Sequence, residues 1–191
     1  LHYGFEFPGA QDEPGSRDLP DYMGVEDHFL FGENQPDTID GITTRYYAFP
    51  RIYAYGATGL PYYNLITEAQ KQRTREIFEL YGNYLGVKFV ETDERSPHDL
   101  NIVTGDLAAV SNYASAPGGI AGLGGGSIAL MDKAENWGTS EFGGAWFRVA
   151  MHEIGHCLGY GHAYDLPAGT IMGSGEDNAA AGFPSDATFP G

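Results

Sequence analysis

Hydrophobic positions along this chain fall into short β-branched or aromatic runs, interrupted by one long stretch with helical spacing. Ile42-Thr43-Thr44-Arg45-Tyr46-Tyr47-Ala48-Phe49 predicts a first strand. Thr67 followed by Gln70 forms a capping box that opens a helix. Within that helix Ile77, Leu80, Tyr81, Tyr84 and Leu85 are expected to share one face, and Gly86 to end it. Val87–Val90 and Leu100–Val103 predict two further strands, residues 105–126 a glycine-rich loop, and Ile128–Met131 a strand at the sheet edge. Ser140 is placed to cap a second helix. Strand, helix, strands and helix in that order predict an α/β (α+β) domain: a twisted mixed sheet with one backing helix and a second helix beside it. No internal repeat interrupts the pattern.

The second helix carries more chemistry than packing needs. His152-Glu153-Ile154-Gly155-His156-Cys157-Leu158-Gly159-Tyr160-Gly161-His162 sets three imidazoles and a carboxylate at fixed offsets. Residues four apart share a helix face, so His152 and His156 can aim ring nitrogens at one point. Gly159 enters the left-handed region without a Cβ penalty, ends the helix and turns the chain so that His162 approaches from another direction. Three protein ligands leave a fourth position for water, the mark of a catalytic zinc site. Glu153 leaves the helix about 100° around from His152. From there it can take a proton from the zinc-bound water and pass it to a leaving amine. Cys157 reads as a small buried packing residue.

This string resembles the signature of the metzincin metallopeptidases, and Thr170-Ile171-Met172-Gly173 resembles their methionine turn. The resemblance implies that Met172 forms an apolar floor under the ligand histidines. Leu130-Met131-Asp132-Lys133-Ala134-Glu135-Asn136-Trp137 and Pro117-Gly118-Gly119 are similar to segments of the matrixin branch. There they imply a structural calcium, held by Asp132 and Glu135 with backbone carbonyls near Ala116, Gly118 and Ile120. The matrixin resemblance also implies that the rim Gly122-Leu123-Gly124 pairs with an extended substrate, its small residues leaving room for the approach, the alternative being a flexible surface loop. Similarity covers roughly residues 41–175. Departures narrow it. Ala163 follows the third histidine, Ser174 stands where related families place a tyrosine, and Tyr164 has no assigned role. Only His98 falls where matrixins hold a second zinc, so one zinc is expected.

The domain organisation follows: an N-terminal extension over 1–40 and a catalytic domain over 41–191, with an upper subdomain 41–159 and a short lower one 160–191. The extension is irregular, with Tyr22, Phe29, Leu30 and Phe31 available to pin it, and is a candidate latency segment should one of its aspartates reach the zinc. Residues 173–191 lack an apolar helical period.

Composition bounds the rest. A chain of 191 residues, 42% hydrophobic and 14% aromatic, can bury a full core. Ten basic against 26 acidic residues give a net charge of −16, which excludes the basic footprint of a nucleic-acid binder and favours bound cations. No run reaches the roughly 18 apolar residues of a membrane span. One cysteine cannot form an internal disulfide. The expected function is that of a secreted zinc endopeptidase acting on protein or peptide substrates, as part of a larger chain. A non-catalytic, metal-stabilised binding or adhesion module and a self-processing protease are the alternatives.

Overall fold

The computed structural model describes residues 44–160 and 171–172. Ile42, Thr43, the extension over 1–40, His162–Tyr164, Thr170, and residues 173–191 with Gly173 and Ser174 lie outside the described residues. Asp37–Cys157 form one compact unit, which holds all the regular elements described.

Five strands make the main sheet, in the order β4-β1-β5-β7-β6. β1 (Thr44–Ala48) runs parallel to β4 (Lys88–Glu91) on one side and to β5 (Leu100–Gly105) on the other. β5 is parallel to β7 (Ile128–Asp132), and β6 (Gly122–Gly125) closes the row antiparallel to β7. Parallel strands covered on both faces read as continuous apolar runs rather than alternations. β5 and β7 fit this: Leu100, Ile102, Val103, Ala129, Leu130 and Met131 are all buried.

Two expectations are corrected here. Ile128–Met131 is a strand, but it is not the sheet edge. The end of the glycine-rich stretch forms β6 and covers it. β6 pairs Gly125 with Ile128, so only Gly126 and Ser127 connect the two strands, and Gly126 takes φ 55°. Two-residue hairpin loops need such positive φ values, which glycine adopts freely.

A hairpin that the pattern missed, β2 (Ile52–Tyr55) with β3 (Pro61–Tyr63), forms a separate two-stranded sheet. Tyr53 from it packs with Leu123 and Ile128 on the cluster of Val103, Leu107 and Leu130. The Tyr53 hydroxyl donates to the Asp106 carbonyl at 3.0 Å and accepts from the Asp106 N–H at 2.7 Å.

α1 (Glu68–Leu85) starts where its sequence says it should. The Gln70 N–H donates to Thr67 Oγ1 at 3.2 Å, and the Thr67 N–H to Gln70 Oε1 at 3.0 Å. Gly86, at φ 66°, ends it with an N–H bond to the Gly82 carbonyl. Its buried face comprises Gln70, Thr74, Ile77, Phe78 and Tyr81. Tyr84, expected on that face, is 84% exposed, and Leu80 is half-buried. The buried face is instead centred so that Phe78 stacks on Tyr47 and packs tilted against Phe89, with ring centroids 4.2 and 4.7 Å apart.

α2 (Ala145–Cys157) lies against β6 and β7 and beside α1. Ser140 does not cap it, because the helix begins five residues later, with Arg148 N–H bonded to the Gly144 carbonyl. Ser140 is instead buried at φ 52°, its hydroxyl accepting from Gln70 Nε2 at 3.3 Å. Gln70 Oε1 in turn accepts from Thr104 Oγ1 at 3.2 Å, and Trp146 Nε1 donates to Thr104 Oγ1 at 3.1 Å. This buried chain ties the starts of both helices to the central strand. None of the described helices is long and apolar enough to cross a membrane.

Candidate metal centre

His152 and His156 stand one turn apart on α2, as the spacing predicts. Their Nε2 atoms are 3.0 Å apart, and the rings are near perpendicular at 88°. Two nitrogens sharing one zinc at about 2.0–2.1 Å in a roughly tetrahedral arrangement lie about 3.3 Å apart, so this pair is already convergent. One ligand atom each from His152, Glu153 and His156 fall within 4.8 Å of one another, close enough to share one metal ion. The donor set fits zinc: imidazole nitrogens with an adjacent carboxylate.

Glu153 differs from its neighbours in burial, with only 6% of its surface exposed. Burial pushes its carboxyl up from the ordinary carboxylate range to about 8. A cation placed beside it pulls in the opposite direction. The carboxylate lies against β6. A β-carbon built on Gly122 would sit 2.7 Å from Glu153 Oε1 and 2.8 Å from its Cγ. One built on Gly124 would run into the Glu153 carbonyl and lie 2.7 Å from its Cα.

The small residues of the expected rim therefore have a further physical reason within the fold. Both glycines turn their Cβ positions toward α2, while Leu123 packs into the cluster on the other side of the strand. Glycines two apart in a strand signal one face approached by another backbone, and that was the available clue. The backbone margin of β6 forms one of the two edges of the sheet, β4 forming the other.

α2 is held at its histidine turn from the α1 side as well. The Tyr81 hydroxyl donates to the Met151 carbonyl at 2.9 Å, immediately before His152. Cys157 is buried as expected, and its thiol, pushed up to about 12 by burial, donates to the Ile128 carbonyl at 3.1 Å. Gly159 takes φ 93°, in the left-handed region. Met172 is buried, with 7% exposure. His162 lies outside the described residues.

Asp132 and Glu135 are brought to the 116–118 turn, but the groups that meet them are donors. Asp132 Oδ2 accepts from the Ala116 N–H at 3.1 Å and Oδ1 from the Ala134 N–H at 2.9 Å. Glu135 Oε1 accepts from the Gly118 N–H at 2.7 Å. The Ala116 carbonyl is engaged by Gly119 N–H at 3.1 Å. His98 bonds locally, to the Ser96 carbonyl at 2.8 Å and Asn101 Oδ1 at 2.9 Å.

A parallel-rich sheet whose antiparallel margin runs beside a helix bearing His-Glu-x-x-His defines a metallopeptidase-type catalytic domain. Residues 54–174 match the matrixin family, and the chain belongs to it. Membership carries zinc-dependent peptidase chemistry as the coarse expectation for the domain. No curated protein matches the chain.

Proposed function

We propose that this chain is a zinc-dependent endopeptidase in which His152, His156 and His162 hold one metal ion and Glu153 moves the proton. The observation that carries the reading is the convergence of the two Nε2 atoms, 3.0 Å apart, beside a buried carboxylate. Bound there, zinc supplies Lewis acidity, which lowers the pKa of water to about 7 and polarises a carbonyl. Glu153 accepts the proton of the attacking water and returns it to the leaving amine. Its burial between α2 and β6 keeps competing water away from that exchange. An extended protein or peptide substrate pairs with the margin of β6 through the backbone of Gly122, Leu123 and Gly124, which needs no side-chain recognition. Gly159 and Met172 keep the supporting roles that the family resemblance implies. The acidic chain acts outside the cell, as one part of a larger secreted protein.

The test is Glu153→Ala in zinc-loaded protein. Cleavage of an unfolded protein substrate should fall by on the order of 10²–10⁴-fold, the usual weight of a general base, with zinc content unchanged. Wild-type turnover would remove Glu153 from the mechanism. A metal-stabilised binding module, by contrast, has no use for a base buried beside its ion. Calcium at Asp132 and Glu135 is a subsidiary proposal, supported by two carboxylates meeting on one turn. Its withdrawal should lower the melting temperature, and an unchanged value would retire it.

A further inference from the structure

Proteins place glycine in a strand where something must come closer than a side chain allows. β6 does so twice, and the two glycines meet different parts of the same residue. A β-carbon at Gly124 would strike the backbone of Glu153, which only a shift of the whole helix could relieve. A β-carbon at Gly122 would meet Oε1 at 2.7 Å, Cγ at 2.8 Å and Val149 Cγ1 at 2.9 Å, the reactive end of the side chain and one neighbour.

We propose that Gly122 is a positioning residue for the Glu153 carboxylate: the side chain it lacks is the space that the carboxylate fills. The inference rests on the assignment of Glu153 as the proton carrier. The strand cannot easily retreat. Gly122 is in register with Met131, the Asp132 N–H donates to the Ala121 carbonyl at 2.8 Å, and Leu123 is anchored in the cluster on the opposite face. Nor can the carboxylate easily move aside, since Glu153 is buried. A methyl group added at Gly122 is accommodated by displacing Oε1 and Cγ by several tenths of an ångström or more. The three atoms nearest the added methyl belong to Glu153 and Val149, not to a histidine, so zinc content should hold while the base loses its alignment. Misplacement of a reacting group by about 1 Å can cost on the order of 100-fold in rate.

The experiment compares zinc-loaded full chains of wild type, G122A, G125A and the double variant G122A/V149A, reading kcat, KM, zinc per protein and melting temperature on a peptide substrate. G122A should lower kcat on the order of 10–100-fold, with KM and zinc content close to wild type. G125A, whose methyl meets nothing within 4 Å, should behave as wild type. In G122A/V149A the neighbouring crowding is removed and stability recovers, but kcat stays low because the carboxylate is still displaced. Adding G122A to E153Q should change the small residual rate little, since the group it acts through is gone. Wild-type kcat in G122A, or full recovery of kcat in the double variant, would overturn the proposal. Failure of both G122A and the double variant to fold would overturn it too, by showing that the glycine serves the fold. A fully active E153A would instead sink the assignment beneath it, and is read separately.

Discussion

The two helices are placed by opposite means. α1 carries its own instructions: a reciprocal capping box at Thr67 and Gln70, an apolar face, and a left-handed glycine at its end. α2 has no such box. It is reached through Gly138, Ser140 and Gly143, all at positive φ, and is located by partners far away in sequence. Trp146 bonds to the central strand, Tyr81 to the carbonyl before the first histidine, and β6 presses its glycine backbone against Glu153. α1 is locally encoded, and the helix that carries His152, Glu153 and His156 is positioned from outside.

That contrast can be broken at several points. The largest effect should come from Gly124→Ala, which forces β6 and α2 apart. Overpacking of this kind costs about 1–3 kcal/mol, and peptidase activity should fall with stability. Chemical denaturation checks it, and an unchanged midpoint would remove β6 from the forces that place α2. Thr67→Ala removes the side-chain half of the capping box, the bond from the Gln70 N–H to Thr67 Oγ1, and should cost about 1 kcal/mol. At this chain length that is a melting shift of about 2–4 °C. Its kcat should be unaltered; a large drop in kcat would show that α1 also sets the reactive turn. The smallest effect belongs to Tyr81→Phe, about 0.5–1 kcal/mol for one hydrogen bond. Amide exchange should quicken in α2 around Met151 more than in α1, and uniform exchange across both would deny the bond a positioning role.

The same contrast explains what could be read from the sequence. α1, the strands β1, β4, β5 and β7, and the placement of His152 and His156 on one helix face all follow from local period and spacing. Their determinants lie within a few residues of one another. The sheet order does not, and Ile128–Asp132 was expected at an edge that Gly122–Gly125 occupies. Glycine carries no apolar signal, so a strand of Gly-Leu-Gly-Gly is silent to any reading of hydrophobic pattern. Ser140 misled for a related reason. Its residue type favours a helix cap, yet tertiary bonding to Gln70 outweighs a left-handed backbone cost of about 1–2 kcal/mol. The hairpin of β2 and β3 was missed because its aromatic residues look alike whether they pack or face solvent: Tyr53 is tied to Asp106 while Tyr55 is largely exposed.

Tyr53 has a consequence of its own. With one oxygen it serves both the N–H and the carbonyl of Asp106, just past the last residue of β5. A phenol there does the work of a neighbouring peptide, and Gly105 makes room for it, since a β-carbon at that position would lie 2.5 Å from the hydroxyl. Lifting the hairpin strips two backbone groups at once, so one aromatic ring joins the small sheet to the end of the central strand.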